Sequence, residues 1–153
     1  MTTPTTFANA ARPAGIAHRE AGAAAAAASS RAVLAGRILS GLALAFLLVD
    51  SVMKVARLAP AVEGTVSLGY PASAILGIGL LQLACVLLYA VPRTAVLGAL
   101  LLTAYLGGAV ATHVRIASPL VTHVLFPVYV AALLWGGLYL REPRLRALLP
   151  FRR

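Results

Sequence analysis

The chain has 153 residues and a net charge of +9, with 61% hydrophobic residues and only 11% charged ones. A water-soluble domain carries about a quarter charged residues, which argues against a soluble enzyme. It also argues against a nucleic-acid binder, whose Lys and Arg gather on one polar face, because here they sit between apolar runs and at both ends.

Residues 1–30 are rich in Ala, Thr and Pro and read as a disordered or loosely helical tail outside the fold. The run Ala23–Ala28 favours helix but is too weakly apolar to serve as the core of a secretory signal. The first membrane span is expected over residues 32–53. Arg37 lies one turn inside it and can snorkel to the headgroups, and Gly36, Gly41 and Ala45 offer small surfaces for close helix contact. Near its far end Asp50 and Lys54 are four residues apart, acid first, the order that pairs well on one helix face. Pro60 ends this helix. Ala61–Leu68, which contains Glu63, is too short to cross a bilayer and is expected to lie along the interface.

Gly69-Tyr70-Pro71 turns into the second span, residues 72–91. Gln82 falls near its centre and must find a partner inside the protein; a hydrogen bond donated to another helix is the plain reading. Cys85, on the same span, is the one cysteine, so there is no intramolecular disulfide and no CxxC pair. Pro92-Arg93 connects to the third span, residues 94–112. There Thr103, Gly107 and Ala111 form one small stripe and Ala104, Gly108 and Thr112 another, which predicts close packing against neighbouring helices. His113, Arg115 and His123 surround the polar turn that follows, where chemistry is expected. The fourth span, residues 119–140, carries Trp135, Gly136-Gly137 and Tyr139 toward its end, and a basic tail occupies 141–153.

These readings define an all-α, integral membrane four-helix bundle with a short interfacial segment between the first two helices. Ten Lys and Arg residues lie at the two ends and in the second connection, and three (Lys54, Arg57 and Arg115) lie on the other side. The positive-inside rule then puts both termini in the cytoplasm. Asp50, Lys54, Glu63, His113 and His123 are expected at similar depth near the outer face. A structural ion pair accounts for Asp50 and Lys54, and packing accounts for Tyr105 and for a hydrogen-bonded His123. A metal held by His113, His123 and Asp50 is chemically open, but no metal-ligand spacing supports it and none is expected. No nucleotide-binding or hydrolase motif is present.

The run Gly36–Leu149 resembles the DoxX-like family of small four-helix bacterial membrane proteins. The resemblance rests on LLVDSVMK, on VSLGYP, on LYAVPRTAVLGALLLTAYLGGAVATHVRI and on SPLVTHVLFPVYVAALLWGGLYLREPRLRALLP. It implies a four-helix membrane domain over residues 31–149. In better-known relatives it implies association with quinone-linked thiosulfate oxidation or with thiol-redox complexes. It also implies an acidic residue where Gln82 stands and a glycine where Ala104 stands, so the chain departs from the pattern twice.

The expected function is a redox subunit of the bacterial inner membrane that binds a quinone near the outer ends of the helices. The candidate ligand-binding groups are Asp50, Lys54, His113, His123, Gln82 and Tyr105, and catalytic residues are not assigned. Histidine suits such chemistry because it titrates near neutral pH. The expected surroundings are the lipid bilayer, a redox partner subunit that supplies electrons, and further copies of the chain. A small transporter or permease using the same polar cluster, and a purely structural membrane protein, are the rival readings.

Overall fold

The computed structural model describes the backbone of residues 14–142 and 145, and their side chains from residue 29 onward. The first 13 residues of the expected tail, and Arg144, Arg146, Arg152 and Arg153 of the basic end, lie outside the described residues. Every element described is helical: α1 (Ala14–Val55), α2 (Ala59–Ser67), α3 (Ala74–Ala90), α4 (Ala95–Arg115), a π-helical segment (Leu120–Val124) and α5 (Phe126–Arg141). α1 runs back to Ala14, so residues 14–30, read as tail, continue the first helix. Alanine's helix propensity sustains it there.

Residues 29–55, 95–115 and 120–141 are long and apolar enough to cross a membrane. α3 has 17 residues, at the short end of the range for a spanning helix. The outward faces are apolar. Leu34, Ile38, Leu42 and Val49 on α1, Leu80 and Leu87 on α3, and Leu97 and Leu100 on α4 are all exposed. Such surfaces are stable against lipid, so this is a polytopic membrane protein.

The long helices form a closed ring: α1 packs on α3, α3 on α4, α4 on α5, and α5 returns to α1. Short connections make successive helices antiparallel. One end therefore gathers the C-termini of α1 and α4, the start of α3, the π-helical segment and α2; we call it the Asp50 end. The opposite one is the Tyr89 end. Leu47, Val86, Leu102, Leu134 and Leu138 fill the core between them, each at most 2% exposed.

The Tyr89 end is drawn tight by glycine. A Cβ on Gly137 would lie 2.4 Å from Ser40 Oγ, and one on Gly36 would lie 2.8 Å from the Gly137 carbonyl oxygen. A Cβ on Gly98 would lie 2.3 Å from the Tyr89 amide nitrogen. Backbones approach this closely only without side chains. The Tyr89 hydroxyl donates to the Leu134 carbonyl at 2.9 Å and meets Ser40 Oγ at 2.9 Å, tying α3 to α5 and α1. The Arg141 guanidinium lies 5.2 Å over the Tyr89 ring, in cation–π range.

Two expectations about packing are corrected. Gly107 and Gly108 do not mediate close contact, since a Cβ on either would meet nothing within 4 Å. The same holds for Gly41, so of the small residues proposed on the first span Gly36 is the glycine in close contact. Small-residue spacing says where approach is permitted; the rotation of each helix decides where it happens.

The fourth span is also not one continuous α-helix. Pro127 lacks an amide hydrogen, and its ring crowds the carbonyl four residues earlier, at His123. The chain entering α5 widens instead: the Val124 amide donates to the Pro119 carbonyl at 3.3 Å and the Leu125 amide to the Leu120 carbonyl at 2.9 Å. These are the i→i−5 bonds of a π turn.

At the Asp50 end three helices stop in the same way. After α1, Leu58 N–H bonds Met53 O and Arg57 N–H bonds Lys54 O; Tyr70 and Gly69 repeat this after α2, and Ser118 and Ala117 after α4. The pivot residues Arg57, Gly69 and Ala117 all have positive φ, at 54°, 83° and 53°. This is the Schellman arrangement, for which glycine is the unstrained choice.

Candidate functional site

The polar centre of the Asp50 end is Gln82, whose side chain is fully buried. Its Nε2 donates to Asp50 Oδ2 at 2.8 Å and to the Leu47 carbonyl at 3.2 Å. Its Oε1 accepts from Lys54 Nζ at 3.0 Å and from the Tyr105 hydroxyl at 2.8 Å. A side-chain amide has two N–H groups and two lone pairs, and all four are engaged. The partners also fix the amide's orientation, because a carboxylate requires the nitrogen and an ammonium the oxygen.

Lys54 completes the network. Its ammonium pairs with Asp50 Oδ2 one helical turn away. It also donates to Gln82 and, at a longer 3.4 Å, to Tyr105. Thus α1 supplies the charges, α3 the amide and α4 the phenol. The glycine at 79 permits this, since a Cβ there would lie 2.8 Å from Lys54 Cβ. A charge taken from water is tolerated only with such pairing and further hydrogen bonds.

A cavity of about 630 Å³ lies beside the network. Leu47, Ile78, Cys85, Leu106 and Val130 are among its apolar walls, while Asp50, Lys54, Tyr105 and His113 form a polar end. Ala104 and Gly108 also line it, so the small stripe expected to pack against a helix faces empty space. Phe46, Leu81, Leu101 and Phe126 both line the cavity and stand exposed on the bundle surface. The Phe46 and Phe126 rings meet edge to face at 5.3 Å between centroids.

A second cavity, of about 550 Å³, shares Asp50, Lys54 and His113 with the first and adds His123, Ser67, Ser118 and residues of α2. α2 is anchored over this end at two points. Arg115 donates to the Leu68 carbonyl at 2.6 Å, and the Tyr70 hydroxyl meets Thr112 Oγ1 at 2.8 Å.

The candidate residues therefore divide into two groups. Asp50, Lys54, Gln82 and Tyr105 form one hydrogen-bonded unit. His113 and His123 form another, their rings edge to face at 5.7 Å. His113 Nδ1 pairs with Ser118 Oγ at 3.0 Å, and His123 Nδ1 with Thr122 Oγ1 at 2.8 Å. His123, expected one turn inside a span, lies on the π-helical segment and is exposed. Glu63, expected at the same depth, is exposed on α2 outside both groups. Among the described residues no three His, Cys, Asp or Glu side chains are grouped to hold a metal ion. Trp135 donates to Thr103 Oγ1 at 2.8 Å and links α5 to α4.

Gln82 was visible in the sequence as a polar group needing a partner, but not as the hub. Its partners depend on the rotation of three helices, which spacing along one helix does not reveal. Tyr70 and Thr112 carried no chemical signal at all.

A ring of four membrane helices with a polar network beside an apolar cavity defines a class of small polytopic bundle proteins. The DoxX-like family model matches residues 38–137, and the chain belongs to that family. Neither a curated protein nor a solved structure gives a match.

Proposed function

We propose that this DoxX-like protein is a quinone-linked redox subunit, with a quinone-type head group held in the cavity at the Asp50 end. The observation that carries the reading is the cavity's division into apolar walls and one polar end. A quinone-type ring is a flat apolar body with oxygens on its rim, and needs such a division. Pockets of this volume, mostly apolar with a few convergent polar groups, suit small ligands and cofactors. His113 borders both cavities and His123 the second, so the two imidazoles are placed to pass protons between the polar end and the surface. Electrons are exchanged with a partner subunit. In this reading the Asp50 end faces outward from the bacterial inner membrane and both termini are cytoplasmic, a reading that the Lys and Arg distribution supports.

The test is extraction of lipids and quinones from purified protein, with mass spectrometry of the extract. Quinone enriched over its share of the bilayer, and lost in His113→Ala, is the expected result. No enrichment would overturn the proposal, and substrate flux into proteoliposomes that depends on Asp50 would replace it with a carrier. Orientation is tested with Ser118→Cys in a Cys85→Ala background, which an impermeant thiol reagent should label from outside intact cells.

A further inference from the structure

The hydrogen-bond ledger of the cavity wall carries a statement about the ligand's own chemistry. Gln82 uses both N–H groups on Leu47 and Asp50. Lys54 directs its three N–H groups at Asp50, Gln82 and Tyr105. The Tyr105 hydroxyl proton goes to Gln82. Thr65 and Thr112 donate to the carbonyls of Ala61 and Gly108. With the Thr112 proton so placed, the Tyr70 hydroxyl is the donor to Thr112 Oγ1. Every hydroxyl and ammonium donor on this wall, and the Gln82 amide buried behind it, is thus engaged within the protein.

One strong acceptor is not. Both donors that reach the Asp50 carboxylate, Lys54 and Gln82, land on Oδ2. Oδ1 has no hydrogen-bond partner among the described residues, and it is not buried, since no buried side-chain oxygen or nitrogen lacks a partner. The Asp50 side chain keeps 36% of its surface and lines both cavities. His113, with Nδ1 on Ser118, is the one remaining wall group whose second nitrogen can serve in either sense.

We infer that the cavity selects a ligand that donates a hydrogen bond to Asp50 Oδ1, which is the hydroquinone form of a quinone-type head group and not the oxidised form. A phenolic O–H to a carboxylate is a short, charge-assisted bond. A quinone carbonyl brought to the same oxygen sets acceptor against acceptor. This deepens the quinone-linked reading and rests on it, naming the redox state that the site holds more tightly.

The experiment titrates purified wild-type protein in detergent, by calorimetry, with a short-chain benzoquinone and separately, without oxygen, with its hydroquinone. The hydroquinone should bind about tenfold more tightly or better, the range expected of one charge-assisted hydrogen bond. Equal binding, or tighter binding of the oxidised form, overturns the inference and leaves the quinone-linked reading standing. Binding of neither form overturns both.

Asp50→Asn sharpens the test. Lys54 and Gln82 still require an acceptor, so the amide oxygen must take the place of Oδ2 and the NH2 group must turn into the cavity. The preference should then reverse toward the benzoquinone. A retained hydroquinone preference in a folded Asp50→Asn protein overturns the assignment to Oδ1. The wild-type comparison decides the inference even if that variant does not fold.

Discussion

The two ends of the bundle use the same device to opposite effect. At each, one polar side chain of α3 reaches two or more other helices: Tyr89 joins Ser40 and Leu134, while Gln82 joins Leu47, Asp50, Lys54 and Tyr105. Around Tyr89 the glycines at 36, 98 and 137 bring backbones into contact. Around Gln82, Ala104 and Gly108 face a cavity. The Tyr89 end draws α1 onto α5 and α4 onto α3; at the Asp50 end α3 still meets α1 at Gly79, while α4 turns its small residues to a space.

The largest expected effect comes from adding one methyl group to each end. Gly98→Ala or Gly137→Ala places a Cβ against backbone that cannot yield, and should cost about 3 kcal/mol or more. Gly107→Ala meets nothing and should fall within about 0.5 kcal/mol of wild type, or gain slightly from helix propensity. Thermal unfolding in detergent compares them, and equal losses would erase the distinction between the ends.

Asp50→Ala comes next. It leaves the Lys54 ammonium partly buried without a counter-charge, a loss of about 2–3 kcal/mol. The double change with Lys54→Ala should be less damaging than the sum of the two single changes. Strict additivity would show that the pair is not coupled.

Replacing the hubs themselves is expected to matter less. Gln82→Leu removes four hydrogen bonds but keeps the Asp50–Lys54 pair, and should cost about 2 kcal/mol; Tyr89→Phe removes two and should cost about 1 kcal/mol. The reverse order would make Tyr89 the principal tie. The smallest effect is at His123. Exposed on the π-helical segment, it should change stability by less than about 0.5 kcal/mol when replaced by Ala. Bound quinone should be unaltered too, because His123 lines only the second cavity; lost quinone would extend the site into that cavity.

Much of this architecture is legible in the sequence. Apolar runs bounded by Pro60, Pro71 and Pro92 mark three helices, and the spacing of Asp50 and Lys54 marks an acid and a base on one face. What one helix does along its own axis can be read from its residues. What it presents to another cannot. Gly98 and Gly108 look alike in the sequence, yet one touches Tyr89 and the other lines a cavity, and only the phase of α4 against α3 separates them. The same holds for Gln82, whose neighbours come from positions 28 residues before it and 23 after it. The π turn is not in the sequence reading because a span over 119–140 runs straight through Pro127, whose ring and missing amide hydrogen reshape the turn that precedes it.

Phe46, Leu81, Leu101 and Phe126 belong at once to the cavity wall and to the outer face of the bundle. On the quinone-linked reading the cavity opens between these residues to the hydrocarbon, and the ligand arrives sideways, already dissolved in lipid. What governs occupancy is then the mole fraction of ligand in the bilayer, not its molarity in water. Partitioning concentrates an apolar ligand before it reaches the protein, so even weak intrinsic binding fills the site in a membrane. Apparent affinity in detergent should fall as micelles are added at fixed ligand, and affinities restated per amphiphile should coincide.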